Sequence, residues 1–116
     1  MRHHNANRKF GRTRDARKAL LRSLARSLVL NGKISTTEAK AKELRPFVEK
    51  LVTRAKNPTL ATNRLLRARI GSVEAALKLS KEIAPKYQSR PGGYIRIAKT
   101  GLRRKDGSVR AIIEFV

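Results

Sequence analysis

The sequence predicts an α+β fold in two layers, ordered helix, strand, three helices, two strands, with a small mixed sheet covered on one face by helices and a basic N-terminal extension. Three observations lead there. Apolar residues recur at helical spacing from Arg14 to Ala84. Asn31-Gly32 interrupts that spacing just ahead of a short β-branched run. After Gln88 the spacing gives way to alternation bounded by turn residues.

Residues 1–12 read as a basic arm and residues 13–116 as one α+β domain. The arm has Phe10 as its one sizeable apolar side chain and no acid, so it buries too little surface to offset its ordering entropy. It is expected to order on binding. Thr13 is a suitable N-cap, with Asp15 favourably placed in the first turn. From Arg14 to about Leu30 the pattern is helical, with Leu20, Leu21, Leu24 and Leu28 on one flank and Arg14, Lys18, Arg22 and Arg26 advancing by four along another. Lys33-Ile34-Ser35-Thr36 suits a brief strand. Ser35-Thr36-Thr37-Glu38 has capping-box spacing, and a neighbouring Thr can serve as the cap instead.

The second helix carries Leu44, Val48, Leu51, Val52 and Ala55 on one face, with a kink or break expected near Arg45 because Pro46 follows. Asn57-Pro58 ends it. A short helix spans about Leu60 to Arg69, Gly71 closes it, and Ser72 caps a fourth helix from Val73 to Ala84 that Pro85 terminates. Arg90-Pro91-Gly92-Gly93 is a turn, Tyr94 to Lys99 a strand, Lys105-Asp106-Gly107-Ser108 a second turn and Val109 to Val116 the last strand. No internal repeat or long linker divides the chain.

Charge limits what such a domain can do. The 116 residues hold 29 Lys and Arg against 8 Asp and Glu, a formal net charge of +21. Free domains usually carry a net charge of magnitude roughly 2–8, and a larger excess repels itself until a polyanion neutralises it. Nucleic acid is the first such partner, since Lys and Arg on phosphates release condensed counterions. With no Cys, disulfides and thiolate zinc sites are excluded. No apolar run is long enough for a bilayer span or a signal peptide, so a cytoplasmic protein is expected.

Certain words of the sequence go further. Met1-Arg2-His3, Arg12-Thr13, Arg17-Lys18-Ala19, Ile34-Ser35-Thr36-Thr37, the run Ala39 to Arg45, and Arg90-Pro91-Gly92-Gly93-Tyr94 followed by Arg96-Ile97 occur in that order. In this arrangement the chain resembles, over nearly its whole length, the family of bacterial large-subunit ribosomal protein number seventeen. The resemblance implies a two-layer α+β domain with a basic N-terminal extension. It also implies contact with large-subunit ribosomal RNA and with neighbouring ribosomal proteins, a structural role, and a place near the outer end of the peptide exit tunnel. The competing reading from charge alone is a nucleoid-type protein that compacts DNA. A membrane-surface protein fits less well, because the apolar helix faces lack Trp and Phe and two strands close the chain.

The expected RNA contacts are Arg2, His3, His4, Arg8, Lys9, Arg12, Arg14, Arg17, Lys18 and Arg22 in the arm and first helix. Eight of these are Lys or Arg, against the single Asp15 in the first 22 residues, where an ordinary solvated helix face would interleave Glu. Arginine suits this task because its planar fork grips phosphate oxygens in pairs and stacks on unpaired bases. Lys99, Arg103, Arg104 and Lys105 form a second basic patch, which also has a plain reading as a solubilising hairpin tip. Arg90 and Arg96 flank Gly92-Gly93, which either lets the backbone approach a phosphate or only makes a turn. Tyr94 either stacks on a base or, as one aromatic among aliphatic neighbours, joins the core. His3 and His4 have no further His or any Cys to complete a metal site, so phosphate or base contact is the better reading. No cofactor, metal, small-molecule substrate or catalytic residue is expected, because the chain offers no Cys nucleophile, clustered carboxylate pair or glycine-rich phosphate loop.

Overall fold

Thr13 opens the first helix by accepting the Ala16 N–H at 3.3 Å, which satisfies one of the donors that a helix start leaves unpaired. The structure, a computed structural model, describes residues 13–103 and 109–116, the side chains of 102 and 103 aside. Helix α1 (Arg14–Asn31) ends where Gly32 takes φ 83° and returns its N–H to the Leu28 carbonyl at 2.8 Å. Strand β1 (Lys33–Thr37) follows at once. Its last residue caps α2 (Glu38–Ala55), since Thr37 Oγ1 accepts the Lys40 N–H at 3.3 Å.

The interruption expected near Arg45 does not divide α2, which runs unbroken through Pro46. Pro46 and Lys42 are both exposed, so the Lys42 carbonyl that loses its usual donor is free to meet water. Helix α3 (Leu60–Ile70) starts on a Thr59 cap and stops at Gly71. Helix α4 (Val73–Lys78) starts on Ser72 and is shorter than expected. The chain nevertheless stays helical beyond Pro85, first as a wide π turn over Leu79–Ile83 and then as a tight 3-10 turn over Ala84–Tyr87. Proline fits there as the second residue of the 3-10 turn, whose own i to i+3 hydrogen bonds do not call on its N–H.

Strands β2 (Ile95–Arg103) and β3 (Val109–Phe115) complete a three-stranded sheet of order β1-β3-β2. Both pairings are antiparallel, which corrects the expected mixed sheet. The short β2–β3 connection requires that direction on one side of β3. On the other side, the Phe115 N–H bonds the Gly32 carbonyl at 3.2 Å, which sets the end of β3 beside the start of β1.

The register sorts the two faces. Ile34, Ile97 and Ile113 form one inward row, flanked by Thr36 and Ala111. They meet the buried Ala25, Leu28 and Val29 of α1 and Ala41, Leu44, Val48 and Val52 of α2. The opposite face of the sheet presents Lys33, Ser35, Arg96, Arg110 and Glu114. In α1 the core face is narrower than the leucine flank suggests. Leu28 is fully buried, but Leu20, Leu21 and Leu24 are half-buried, and residues 14–24 include no fully buried side chain. Tyr94 belongs to the core: it is fully buried, with its ring centroid 5.1 Å from that of Tyr87.

Candidate nucleic-acid interface

The periodicity of α1 places Arg14, Lys18, Arg22 and Arg26 one above another, about 6 Å apart along the helix axis, and all four are exposed. Arg17 stands half-buried beside them. Among the described residues none of these five cations forms an ion pair. The sole acid in α1 is Asp15, in the first turn where the helix dipole favours a carboxylate. Arg22 has a further constraint: its methylene stem runs alongside Gly71, the residue that ends α3. The row is thus a convex cationic ridge. It rests on a core face that begins at Ala25 and Leu28, and beyond Asp15 in the first turn no carboxylate on α1 competes with phosphate for it.

Other cations expected to touch RNA are already engaged inside the protein. Arg96 grips Glu114 through Nε and Nη2, both at 2.5 Å from the same oxygen. Lys99 reaches Glu38 at 3.4 Å, while Lys42 holds the same carboxylate at 2.8 Å. Hydrogen bonding from Lys42 is the main cause that lowers the Glu38 pKa below its ordinary 4.5; desolvation opposes it, and the hydrogen bond from Lys99 adds to the lowering. Arg90 donates to the Gly93 carbonyl at 3.4 Å and lies over the Tyr87 ring at 5.6 Å. Gly93 has φ 67°, a left-handed turn conformation, and open space where a Cβ would stand. Lys56 and Lys78 are likewise engaged, the first with the Arg90 carbonyl and Tyr94 hydroxyl at 2.7 and 2.9 Å, the second with the Leu30 carbonyl at 2.8 Å.

Arg2, His3, His4, Arg8, Lys9, Arg12, Arg104 and Lys105 lie outside the described residues, as does the Arg103 side chain. Sequence reasoning passed over another group, namely Arg45, Lys50, Arg54, Arg64, Arg67 and Arg69. All six are exposed and have no ion-pair partner among the described residues. The signal was present in the sequence: α3 carries three arginines and no acid, and Lys50 and Arg54 stand four apart in α2.

Among the described residues no cluster of three His, Asp or Glu side chains stands ready for a metal ion, and no helix is long and apolar enough to cross a membrane. A small α+β domain with one apolar core and ridges of unpaired cations has the design of a ribonucleoprotein structural component. Comparison with known proteins makes this specific. The family model for ribosomal protein L17 matches residues 20–116. Large ribosomal subunit protein bL17 of Gemmatimonas aurantiaca is 55% identical over 116 residues, covering 100% of this chain and 98% of the relative. The proteins of the same name from Nautilia profundicola and Thermomicrobium roseum are 52% and 50% identical, again over 100% of this chain and 98% and 99% of theirs. The chain belongs to the ribosomal protein L17 family.

Proposed function

We propose that this chain is a structural constituent of the bacterial large ribosomal subunit, in the cytoplasm, that holds large-subunit ribosomal RNA through the α1 ridge and the basic arm. The observation that carries the reading is the unpaired row Arg14, Lys18, Arg22 and Arg26, in a chain of net charge +21 whose family is ribosomal. Its work is positional. Phosphate contacts orient a protein on RNA without reading sequence, and no reaction is performed. Residues 1–12 act as the extension that orders against RNA, residues 13–116 as the folded domain, and Arg103, Arg104 and Lys105 as a secondary contact. Neighbouring ribosomal proteins complete the environment, near the outer end of the peptide exit tunnel. Family membership leaves the DNA-compacting alternative without support.

Co-sedimentation tests the assignment. A tagged copy expressed in bacteria should travel with large subunits through a sucrose gradient at moderate salt. Co-purification with the nucleoid, and absence from the large-subunit peak, would overturn it.

A further inference from the structure

A second surface has the complementary features of RNA recognition in one place. Helices α2 and α3 leave a groove of about 170 Å³ between them, lined by Phe47, Lys50, Leu51, Arg54, Leu65 and Arg69. Three of the six are cations, none is an acid, and the other three are apolar. The cations are exposed and pair with no carboxylate among the described residues. Phe47 is half-buried, packed against the core from the groove side.

Shape separates this groove from the α1 ridge. A convex row of cations suits the phosphates of a duplex, whereas a concave, apolar-floored groove with an aromatic wall suits a base that has left its stack. The volume is well below the roughly 300–1,000 Å³ of small-molecule sites, so it accommodates a single ring and not a whole metabolite. Lys50 and Arg54 also border a neighbouring groove that contains Glu49, Pro91 and Tyr94. The Glu49 carboxylate repels phosphate on that side, which leaves the Arg69 side for the strand.

We infer that the α2–α3 groove is a second RNA contact, one that takes an unpaired nucleotide with its base against Phe47 and its flanking phosphates on Lys50, Arg54 and Arg69. The inference rests on the reading of this chain as RNA-bound, and it makes the protein a clamp between two RNA elements.

The test uses full-length protein assembled on large-subunit ribosomal RNA containing 4-thiouridine, irradiated and digested for mass spectrometry. Adducts are expected on the peptides carrying Phe47 and Leu65, at nucleotides unpaired in the RNA. Replacing Lys50, Arg54 and Arg69 together by Ala should cut those adducts at least tenfold while adducts near α1 persist. The same triple variant should lower the slope of log K against log salt by about two units, near 0.7 for each single-strand phosphate contact. Phe47→Leu, checked for folding by its thermal midpoint, should weaken the groove adducts and leave the salt slope unchanged. Adducts near α1 but none in the groove, or groove adducts to paired nucleotides or to a protein, would overturn the inference and leave the RNA-bound reading standing. The absence of adducts anywhere would overturn both.

Discussion

The stem of Arg22 lies so close across Gly71 that a Cβ on Gly71 would stand 2.5 Å from Arg22 Cδ. Gly71 also takes φ 73° to close α3, its N–H returning to the Arg67 carbonyl at 2.9 Å. Two separate requirements therefore select glycine here. The left-handed backbone alone makes Gly71→Ala cost about 1–2 kcal/mol, and displacement of Arg22 adds to it. Denaturant unfolding of Gly71→Ala, Arg22→Ala and the double variant should show non-additivity, because removing the stem relieves the steric part only. Strict additivity would mean the two residues do not touch.

Core position governs a second expectation. Leu28 is fully buried, so Leu28→Ala should destabilise by roughly 2–5 kcal/mol. Leu24 is half-buried and should cost clearly less. Equal costs at the two positions would contradict the observed core face of α1.

The sequence carried element order and most boundaries because caps and stops are local chemistry. Thr13, Gly32, Thr37, Gly71 and Ser72 each act within a few residues of themselves. Strand direction was not legible, since β1 pairs with β3 across a long stretch of intervening chain, as in the Arg110 to Ser35 contact between residues 75 positions apart. The fate of Pro46 depended on which side of α2 faces water, which is a property of the packed protein. At the candidate site, the charge of α1 could be read directly. That Arg96, Lys99 and Arg90 are engaged by Glu114, Glu38 and the Gly93 turn could not, because each partner is set by the sheet or by a turn geometry.

The two tyrosines of the chain should ionise in a definite order. Tyr94 is lowered below 10.0, chiefly by the hydrogen bond from Lys56 and then by that shared with Thr53. Tyr87 is raised, because burial outweighs the opposing charge of Arg90, and its hydroxyl donates to the Val116 carbonyl at 2.5 Å. Alkaline titration followed by phenolate absorbance should show two steps, with Tyr94 first. Tyr94→Phe should remove the lower step and Tyr87→Phe the upper. A single step for both residues would contradict this arrangement.

Glu38 sets an acid-side dependence. Its pKa is depressed in the folded protein by Lys42 first and Lys99 second, so its stabilising effect is present above the unfolded value near 4.5 and is lost as pH falls through the lower folded value. Unfolding midpoints of the wild type and Glu38→Gln should differ at neutral pH and converge in acid. A gap that stays constant down to the acid limit would show that the ion pairs with Lys42 and Lys99 are not its source.

The role of the α1 ridge is tested most directly by the salt dependence of RNA binding. Replacing Arg14, Lys18 and Arg22 together by Ala removes three exposed cations and leaves the core intact, apart from the Arg22 stem on Gly71. Each lost phosphate contact flattens log K against log salt by roughly 0.7–0.9, so the triple variant should lose about two units of slope on large-subunit ribosomal RNA. Leu28→Ala should leave the slope of its folded fraction unchanged. A triple variant that folds normally and keeps the wild-type slope would show that the α1 ridge faces solvent, contradicting its role as the principal RNA contact.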